Sequence, residues 1–238
     1  MSGSADRAMT TSDDVVSERL DEVREQIERL GRSDVTVIAV TKGFDRSAID
    51  CAQRLGLRDI GENYAQELLG KVDALEPDTR VHFMGRIQRN KVRKLVADVD
   101  VWHSIARPEI LAEIAKRQDA SSDEGSAGLL IQVRPHDDES KDGIAPSQIE
   151  DMLDKAEQAG VDVAGLMTIG VLGDPVATRK AFEEVDRLAE RYGLAERSMG
   201  MSADYRDALD AGSTMLRLGS VLFGQRPTPV RRDSDAKP

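Results

Sequence analysis

The sequence predicts an α/β fold: a single closed (β/α)8 barrel of the triosephosphate-isomerase type. Apolar runs of strand length alternate with segments of helical periodicity along the whole chain, and we count eight such runs. The length of 238 residues and the 39% hydrophobic content suit one barrel of this kind. A doubly wound open sheet is the alternative, but no G-x-G-x-x-G motif follows the first strand.

The elements follow from the hydrophobic period, taken in chain order. The first helix would fill the outer position left vacant after the last strand, and its apolar residues at helical spacing are Val15, Val16, Leu20, Val23, Ile27 and Leu30. The first strand, VTVIAVT, is nearly continuous and β-branched, which is typical of strands buried on both faces. We expect helices at 13–30, 46–55, 64–74, 90–97, 108–117, 147–159, 176–192 and 203–211. We expect strands at 35–41, 58–61, 81–84, 100–105, 128–133, 163–169, 197–201 and 214–220.

The domain boundaries are expected near residues 12 and 226. The segments 1–11 and 227–238 are polar or proline-rich and carry few large apolar groups, so both are expected to be disordered tails. The barrel domain would therefore span residues 12–226.

Composition excludes several classes of function. The chain has 33 Lys+Arg against 44 Asp+Glu, a net charge of -11, which disfavours partners such as nucleic acid or an anionic membrane. The single cysteine, Cys51, cannot form an internal disulfide and is expected to be a small buried helix residue. No Cys/His cluster has metal-ligand spacing, so no metal is expected. Without a signal-like segment or a membrane-length apolar run, the protein is expected to be cytoplasmic.

Lys42 is the candidate nucleophile. Active sites of such barrels lie at the carboxyl ends of the strands, and Lys42 follows the first strand on the same face as Ile38 and Val40. Partial burial at the barrel mouth would lower the pKa of this amine and let it attack a carbonyl as a Schiff-base nucleophile. An ordinary surface lysine in the first loop is equally compatible with its position.

The loops after the last two strands predict an anion site. Ser202 can cap the helix that follows the seventh strand, with Asp204 in its first turn, and Gly219 and Ser220 open a turn after the eighth. Loops at these two positions form the recurrent phosphate site of this barrel, because backbone N–H groups and a helix dipole face the anion. A lysine and a phosphate site together indicate either bound pyridoxal 5'-phosphate (PLP) or an aldolase acting on a sugar phosphate.

Arg217 separates these alternatives weakly. It lies in the last strand, two residues before Gly219, and a guanidinium beside a pyridine nitrogen would keep that nitrogen unprotonated because it has no acceptor. A barrel-interior arginine paired with one of the many carboxylates is the other interpretation.

Several segments together resemble a known family. They are VIAVTKGF, GENYAQEL, HFMGRIQRNKVRKLV, GLMTIG, SMGMSADYRDAL and GSTMLRLGSVLFGQR, and they are similar to the PLP-binding family called YggS in bacteria and proline synthase co-transcribed homolog in animals. The resemblance covers roughly residues 13–226. It implies a single-domain barrel like the N-terminal domain of alanine racemase (PLP fold type III), with PLP on a lysine.

The resemblance also assigns residues. The family's lysine corresponds to Lys42, the asparagine of its G-E-N motif to Asn63, and its phosphate-binding serine to Ser202. Its R-x-G-[ST] segment corresponds to Arg217, Gly219 and Ser220. The chain departs from the frequent motif W-H-F-I-G-H-L-Q-S-N-K at Val81, Met84, Arg86, Ile87 and Arg89, and Ser220 replaces a frequent threonine.

Other residues are given structural interpretations. His82 and His103 are expected to be hydrogen-bonded interior histidines, since no third metal ligand accompanies them. The 136–143 loop, which holds Lys141 as a second amine near a strand end, is expected to be a solvated or lid loop; handling of the cofactor by Lys141 during transfer is the alternative. No tyrosine is expected to enter the barrel mouth.

The function expected from these observations is intracellular PLP homeostasis. The resemblance implies a protein that holds PLP as a Schiff base and releases it, with no catalytic residues, acting as a monomer and supplying apo PLP-dependent enzymes. In the related racemases a tyrosine from a further domain serves the opposite substrate face, and this chain is expected to lack it. The alternatives are a PLP-dependent amino-acid racemase and a Schiff-base aldolase.

Overall fold

The computed structural model describes residues 12–118, 128–134 and 142–226. The predicted tails, Lys141 and most of its loop lie outside the described residues, and the proposed boundaries at 12 and 226 stay a prediction. In the part of the chain that is described, no helix combines the length and the apolar character that a membrane span requires.

Eight parallel strands form a closed barrel in chain order, which confirms the predicted fold class. The first strand pairs with the second and also with the last, so an open sheet is excluded. The strands are β1 (Thr36–Val40), β2 (Asp59–Glu62), β3 (Arg80–Phe83), β4 (Val101–Ile105), β5 (Gly128–Gln132), β6 (Val163–Met167), β7 (Glu196–Met201) and β8 (Met215–Leu218).

Helices surround the barrel. They are α1 (Asp13–Arg29), α2 (Arg46–Arg54), α3 (Ala65–Leu69), α4 (Arg89–Leu95), α5 (Pro108–Gln118), α6 (Ile149–Gln158), α7 (Pro175–Arg191), α8 (Tyr205–Asp210) and α9 (Ser220–Phe223), with 3-10 turns at Val72–Ala74 and Pro146–Gln148. Side-chain caps begin two of them: Asp45 accepts from the Ser47 amide and Asp174 from the Ala177 amide, at 2.9 Å each.

The first helix closes the outer ring, as predicted. Its apolar stripe of Val16, Leu20, Val23 and Ile27 is buried. Asp13 pairs with Arg54 of α2 at 2.7 Å. Arg19 donates to the Leu222 carbonyl of α9 at 2.8 Å. Helix α1 therefore lies between α9 and α2, beside the junction of the first and last strands.

The barrel has two apolar layers. A large outer core lies between strands and helices and contains Ala39 and the buried Cys51 of α2, as expected for this cysteine. A small inner cluster fills the barrel itself with Ile38, Val101, Leu130, Met167 and Met215. The alternation of Ile38 inward and Ala39 outward follows the period of a strand.

One predicted helix ends five residues earlier than expected. The predicted helix 64–74 ends at Leu69, and after Gly70 a separate 3-10 turn follows, because Lys71 turns inward to a buried carboxylate. The predicted strand 214–220 ends at Leu218, and Ser220 already begins α9. The other predicted boundaries differ from the observed ones by at most two residues.

Candidate functional site

The six predicted binding residues lie at the carboxyl ends of four adjacent strands. Lys42 follows β1, Asn63 follows β2 and Ser202 follows β7, whereas Arg217 lies in β8 with Gly219 and Ser220 directly after it. Because β7, β8, β1 and β2 are neighbours in that order, one side of the barrel mouth brings all six residues together.

Lys42 occupies a partly buried position in a well-anchored loop. The Gly43 amide donates to Glu67 Oε2 at 2.8 Å, and the Phe44 amide donates to the Thr41 carbonyl at 3.1 Å. Burial lowers the pKa of the Lys42 amine, and the positive charges of Arg226 and Arg217 lower it further. The loop therefore presents an amine that loses its proton more readily than a solvated lysine, as a nucleophile requires.

A buried ion pair that sequence reasoning missed supports this loop. Glu62 Oε1 accepts from Thr41 Oγ1 at 2.7 Å and from Lys71 Nζ at 2.6 Å, and Lys71 Nζ also donates to the Thr41 carbonyl at 2.9 Å. The peptide just before Lys42 is thus fixed from both sides. Burial raises the pKa of Glu62, and the contacts with Lys71 and Thr41 oppose that effect. The GENY motif could have drawn attention to Glu62, but nothing in the sequence distinguishes Lys71.

Two buried polar atoms beside this cluster have no hydrogen-bond partner among the described residues. They are Glu62 Oε2 and Asn63 Oδ1. Asn63 is held where the β2 and β3 loops approach each other: a Cβ at Gly85 would lie 1.8 Å from the Asn63 carbonyl oxygen, so only glycine fits there. Buried polar atoms normally find partners. A polar ligand in the mouth would supply them.

The loops after β7 and β8 are tied to each other. Ser202 Oγ accepts from the Val221 amide at 3.0 Å. The prediction that Ser202 caps the following helix is therefore wrong, because α8 begins at Tyr205 and Asp204 occupies the N-cap position instead of the first turn. Asp204 Oδ1 accepts from the Met201 amide at 2.6 Å and tightens that turn.

The turn into α9 offers backbone donors. The amides of Gly219 and Ser220 have no hydrogen-bond acceptor within the described residues. A Cβ at Gly219 would lie 3.2 Å from the Val40 carbonyl oxygen, so the turn packs closely against the end of β1. Free amides in a close turn can bind an anionic oxygen.

Arg217 is 5% exposed and lies inside the barrel. It donates to the Ser198 carbonyl and hydroxyl at 2.6 Å each and to the Thr168 carbonyl at 2.7 Å. All three acceptors are carbonyl or hydroxyl oxygens, so these contacts do not support the alternative interpretation, in which Arg217 pairs directly with a carboxylate. Burial lowers the pKa of the guanidinium to about 10, and the charge of Asp204 opposes that effect. Arg217 is therefore still charged at neutral pH.

The predicted interior histidines are confirmed. His82 Nδ1 lies 2.8 Å from His103 Nε2, and both rings are fully buried. In the ranges 12–118, 128–134 and 142–226, no group of three possible His, Cys, Asp or Glu ligands lies together.

One of the three tyrosines, Tyr64, follows the site residue Asn63 in the chain and lines the same outer crevice. This crevice of about 330 Å³ lies between α3 and α4, and Tyr64 is 54% exposed. The rings of Tyr192 and Tyr205 lie under the guanidinium groups of Arg191 and Arg206, at 5.4 and 5.7 Å.

Comparison with known proteins places this architecture in a family. The family described as alanine racemase, N-terminal domain, matches residues 16–227. The pyridoxal phosphate homeostasis protein of Aquifex aeolicus is 36% identical over 224 residues, covering 88% of this chain and 97% of that protein.

Solved structures have the same fold. The PLP-bound structure of PipY from Synechococcus elongatus PCC7942 is 33% identical with a TM-score of 0.75, covering 88% of this chain and 100% of that one. An alanine racemase of Clostridium difficile 630, at 14% identity, shares the fold with a TM-score of 0.69 and covers 91% of this chain and 58% of the racemase. The chain belongs to the pyridoxal phosphate homeostasis protein family, whose barrel is that of the alanine racemase N-terminal domain.

Proposed function

We propose that this protein binds PLP in the mouth formed by β7, β8, β1 and β2 and serves PLP homeostasis, holding the cofactor on Lys42 and releasing it. The observation that carries the proposal is the meeting of a lysine of lowered pKa with free backbone donors on adjacent strands. A relative of 33% identity whose structure has PLP bound supports the same ligand.

The residues present suit this ligand in charge and polarity. PLP supplies an aldehyde carbon, which an uncharged amine attacks, together with a phosphate and a ring nitrogen. Lys42 would supply the amine. The Ser202 hydroxyl and the amides of Gly219 and Ser220 would bind the phosphate. The unpartnered Asn63 Oδ1 is available for a polar group of the ligand.

Arg217 would face the ring nitrogen. Its guanidinium keeps its charge at neutral pH and has no acceptor, so it can only donate toward that nitrogen. A donor at this place disfavours the protonated ring, which is the form that withdraws electrons most strongly. Arg217 therefore favours binding over amino-acid chemistry.

We propose further that the protein lacks robust catalysis. Racemisation needs acid/base groups on both faces of the substrate. In the described structure no tyrosine hydroxyl hydrogen-bonds to a proposed binding residue: Tyr64 is 54% exposed beside an outer crevice that Asn63 also lines, and Tyr192 and Tyr205 lie under arginines. This placement supports a carrier over a racemase.

The partners we propose are PLP itself and apo PLP-dependent enzymes that receive it, with the protein acting as a cytoplasmic monomer. The net charge of -11 supports a protein that does not bind nucleic acid.

Covalent labelling tests the proposed function. We expect the purified protein mixed with PLP to develop the visible absorption of the bound cofactor, and borohydride reduction followed by peptide mapping to place the cofactor's mass on the Lys42 peptide. Lys42→Ala should lose both signals. Lys155→Ala, which changes a partly exposed lysine of α6 that pairs with Asp151, should keep both.

Two outcomes would contradict this assignment. A colourless, unlabelled wild-type protein would remove PLP as the ligand. Label recovered chiefly on Lys71 or Lys141 would move the attachment point to another amine.

A further inference from the structure

Five polar side chains form a continuous hydrogen-bonded chain through the barrel interior. Arg217 Nη1 lies 2.6 Å from Ser198 Oγ, which lies 2.8 Å from His103 Nδ1. His103 Nε2 lies 2.8 Å from His82 Nδ1, and His82 Nε2 lies 2.8 Å from Asp59 Oδ1. Ser198 and both histidines are fully buried. This relay, from Arg217 to Asp59, joins the proposed site on β8 to the opposite, amino end of β2.

The donors and acceptors of the relay run in one direction. A guanidinium only donates, so Ser198 Oγ accepts from Arg217 and its hydroxyl proton is left for His103 Nδ1. His103 then carries its proton on Nε2 and donates to His82 Nδ1. His82 in turn carries its proton on Nε2 and donates to the Asp59 carboxylate. Both histidines are therefore neutral Nε2–H tautomers in this arrangement.

An added proton would break this order. A proton on His82 Nδ1 would face the N–H of His103, so His103 would have to move its proton to Nδ1 and donate to Ser198 Oγ. The Ser198 hydroxyl proton would then have no acceptor among the described side chains. A buried hydroxyl without an acceptor is costly, so the neutral, directed relay is the favoured state.

The charges around the relay also favour a neutral His103. Arg80 on β3 lies 3.6 Å from Asp59 Oδ1. Burial lowers the pKa of His103 well below its usual range, and the charges of Arg217 and Arg80 lower it further. The Asp59 side chain is 19% exposed, so the relay meets solvent at its carboxylate end.

We propose that Asp59, His82, His103 and Ser198 are positioning residues for Arg217. The inference rests on the proposed function, in which Arg217 faces the ring nitrogen of the cofactor. The relay fixes the direction of the guanidinium's hydrogen bonds and joins its charge to that of Asp59 through neutral groups. The environment of the cofactor's ring therefore depends on a carboxylate at the far end of the barrel.

Histidine NMR of the full-length protein without cofactor tests the relay itself. The chain has three histidines, so the 15N signals can be assigned with single His82→Asn and His103→Asn variants. We expect His82 and His103 to show the Nε2–H tautomer at about pH 8, and His103 to remain neutral down to about pH 6, below the ordinary histidine pKa of about 6.5. An Nδ1–H tautomer at His103, or its protonation in this range, would overturn the relay.

Cofactor binding tests the positioning role. Ser198→Ala leaves Arg217 its two carbonyl acceptors but cuts the relay, so we expect PLP affinity to fall about fivefold, as for one neutral hydrogen bond. The pH dependence of the cofactor's visible absorption should shift as well. Ser198→Thr, which keeps the hydroxyl, should restore both.

Asp59→Asn tests the carboxylate end of the relay, and Asp100→Asn is its control. Asp59→Asn should shift the same pH profile, because it removes the relay's negative charge. Asp100 directly precedes β4, and its carboxylate accepts from the Val81 amide at 2.6 Å and is not a member of the relay, so its change should leave the profile unaltered.

The outcomes separate the two proposals. A wild-type affinity and pH profile in both Ser198→Ala and Asp59→Asn would overturn the positioning role while PLP binding stands. A wild-type protein that binds no PLP would overturn the proposed function. The histidine tautomers measured by NMR test the relay independently of PLP binding.

Discussion

Two lysines lie near the site, and their surroundings give them different chemistry. Lys71 is the more buried, but its ammonium donates to Glu62 and to the Thr41 carbonyl, so its protons are bound in a charge-assisted network. Lys42 is partly buried, and its pKa is lowered first by burial and then by nearby arginines. Lys42 is therefore the amine available to attack a carbonyl, while Lys71 holds the loop that presents it.

At the same scale, we predict that Ser202→Ala weakens PLP retention by roughly tenfold or more, because hydrogen bonds to charged groups are typically worth about 1.5 to 3 kcal/mol. The fold should survive, since the loss of the contact with the Val221 amide costs about 1 kcal/mol. PLP titration and thermal unfolding measure the two effects. Ser147→Ala, at an exposed serine, should change neither. Unaltered affinity in Ser202→Ala would remove this hydroxyl from the phosphate site.

At the scale of elements, the site depends on how closely the strand ends approach. The Gly85 carbonyl accepts from Ser104 Oγ at 2.5 Å, while its α-carbon packs against the Asn63 backbone. The loops after β2 and β3 and the end of β4 are thereby fixed to one another. A substitution in the β3 loop should consequently displace Asn63.

We predict that Gly85→Ala destabilises the fold by about 1 to 3 kcal/mol, as overpacking typically does, and weakens PLP binding by displacing Asn63. Chemical denaturation and PLP titration measure these effects. Gly70→Ala is the control, since it lies at the end of α3 with φ -84° and its Cβ would come no closer than 3.4 Å to another atom. Equal stability of the two variants would show that the β3 loop adapts to a methyl group.

The period of the hydrophobic pattern was sufficient to predict every strand, because a parallel barrel buries strands on both faces and helices on one. It could not predict interactions between elements. In the sequence, Lys71 has the position of an ordinary polar residue of the predicted helix 64–74. Its side chain instead turns inward to pair with Glu62, and the helix ends at Leu69. Likewise, Ser202 has the sequence position of a cap, and only the approach of α9 gives its hydroxyl the Val221 amide.

At the scale of the whole molecule, barrel closure creates the site. Ile38 of β1 pairs with Arg217 of β8, so the lysine near the start of the chain and the arginine near its end meet only when the first and last strands join. Helix α1 covers this junction through Arg19 and α9. A ligand that touches both strands binds the folded state alone, and its binding therefore stabilises the closed barrel.

The last prediction concerns the protein as a carrier. We expect the PLP-loaded protein to give no steady turnover of amino acids, because a guanidinium at the ring nitrogen, as proposed for Arg217, would disfavour the protonated ring, and no tyrosine hydroxyl hydrogen-bonds to a proposed binding residue in the described structure. Enantiomer ratios and keto-acid formation over an amino-acid panel measure this. The same protein should reactivate an apo PLP-dependent enzyme, and Lys42→Ala treated identically should not. Turnover on the order of 1 per second or faster would instead identify an enzyme, since that is the range of ordinary catalysis.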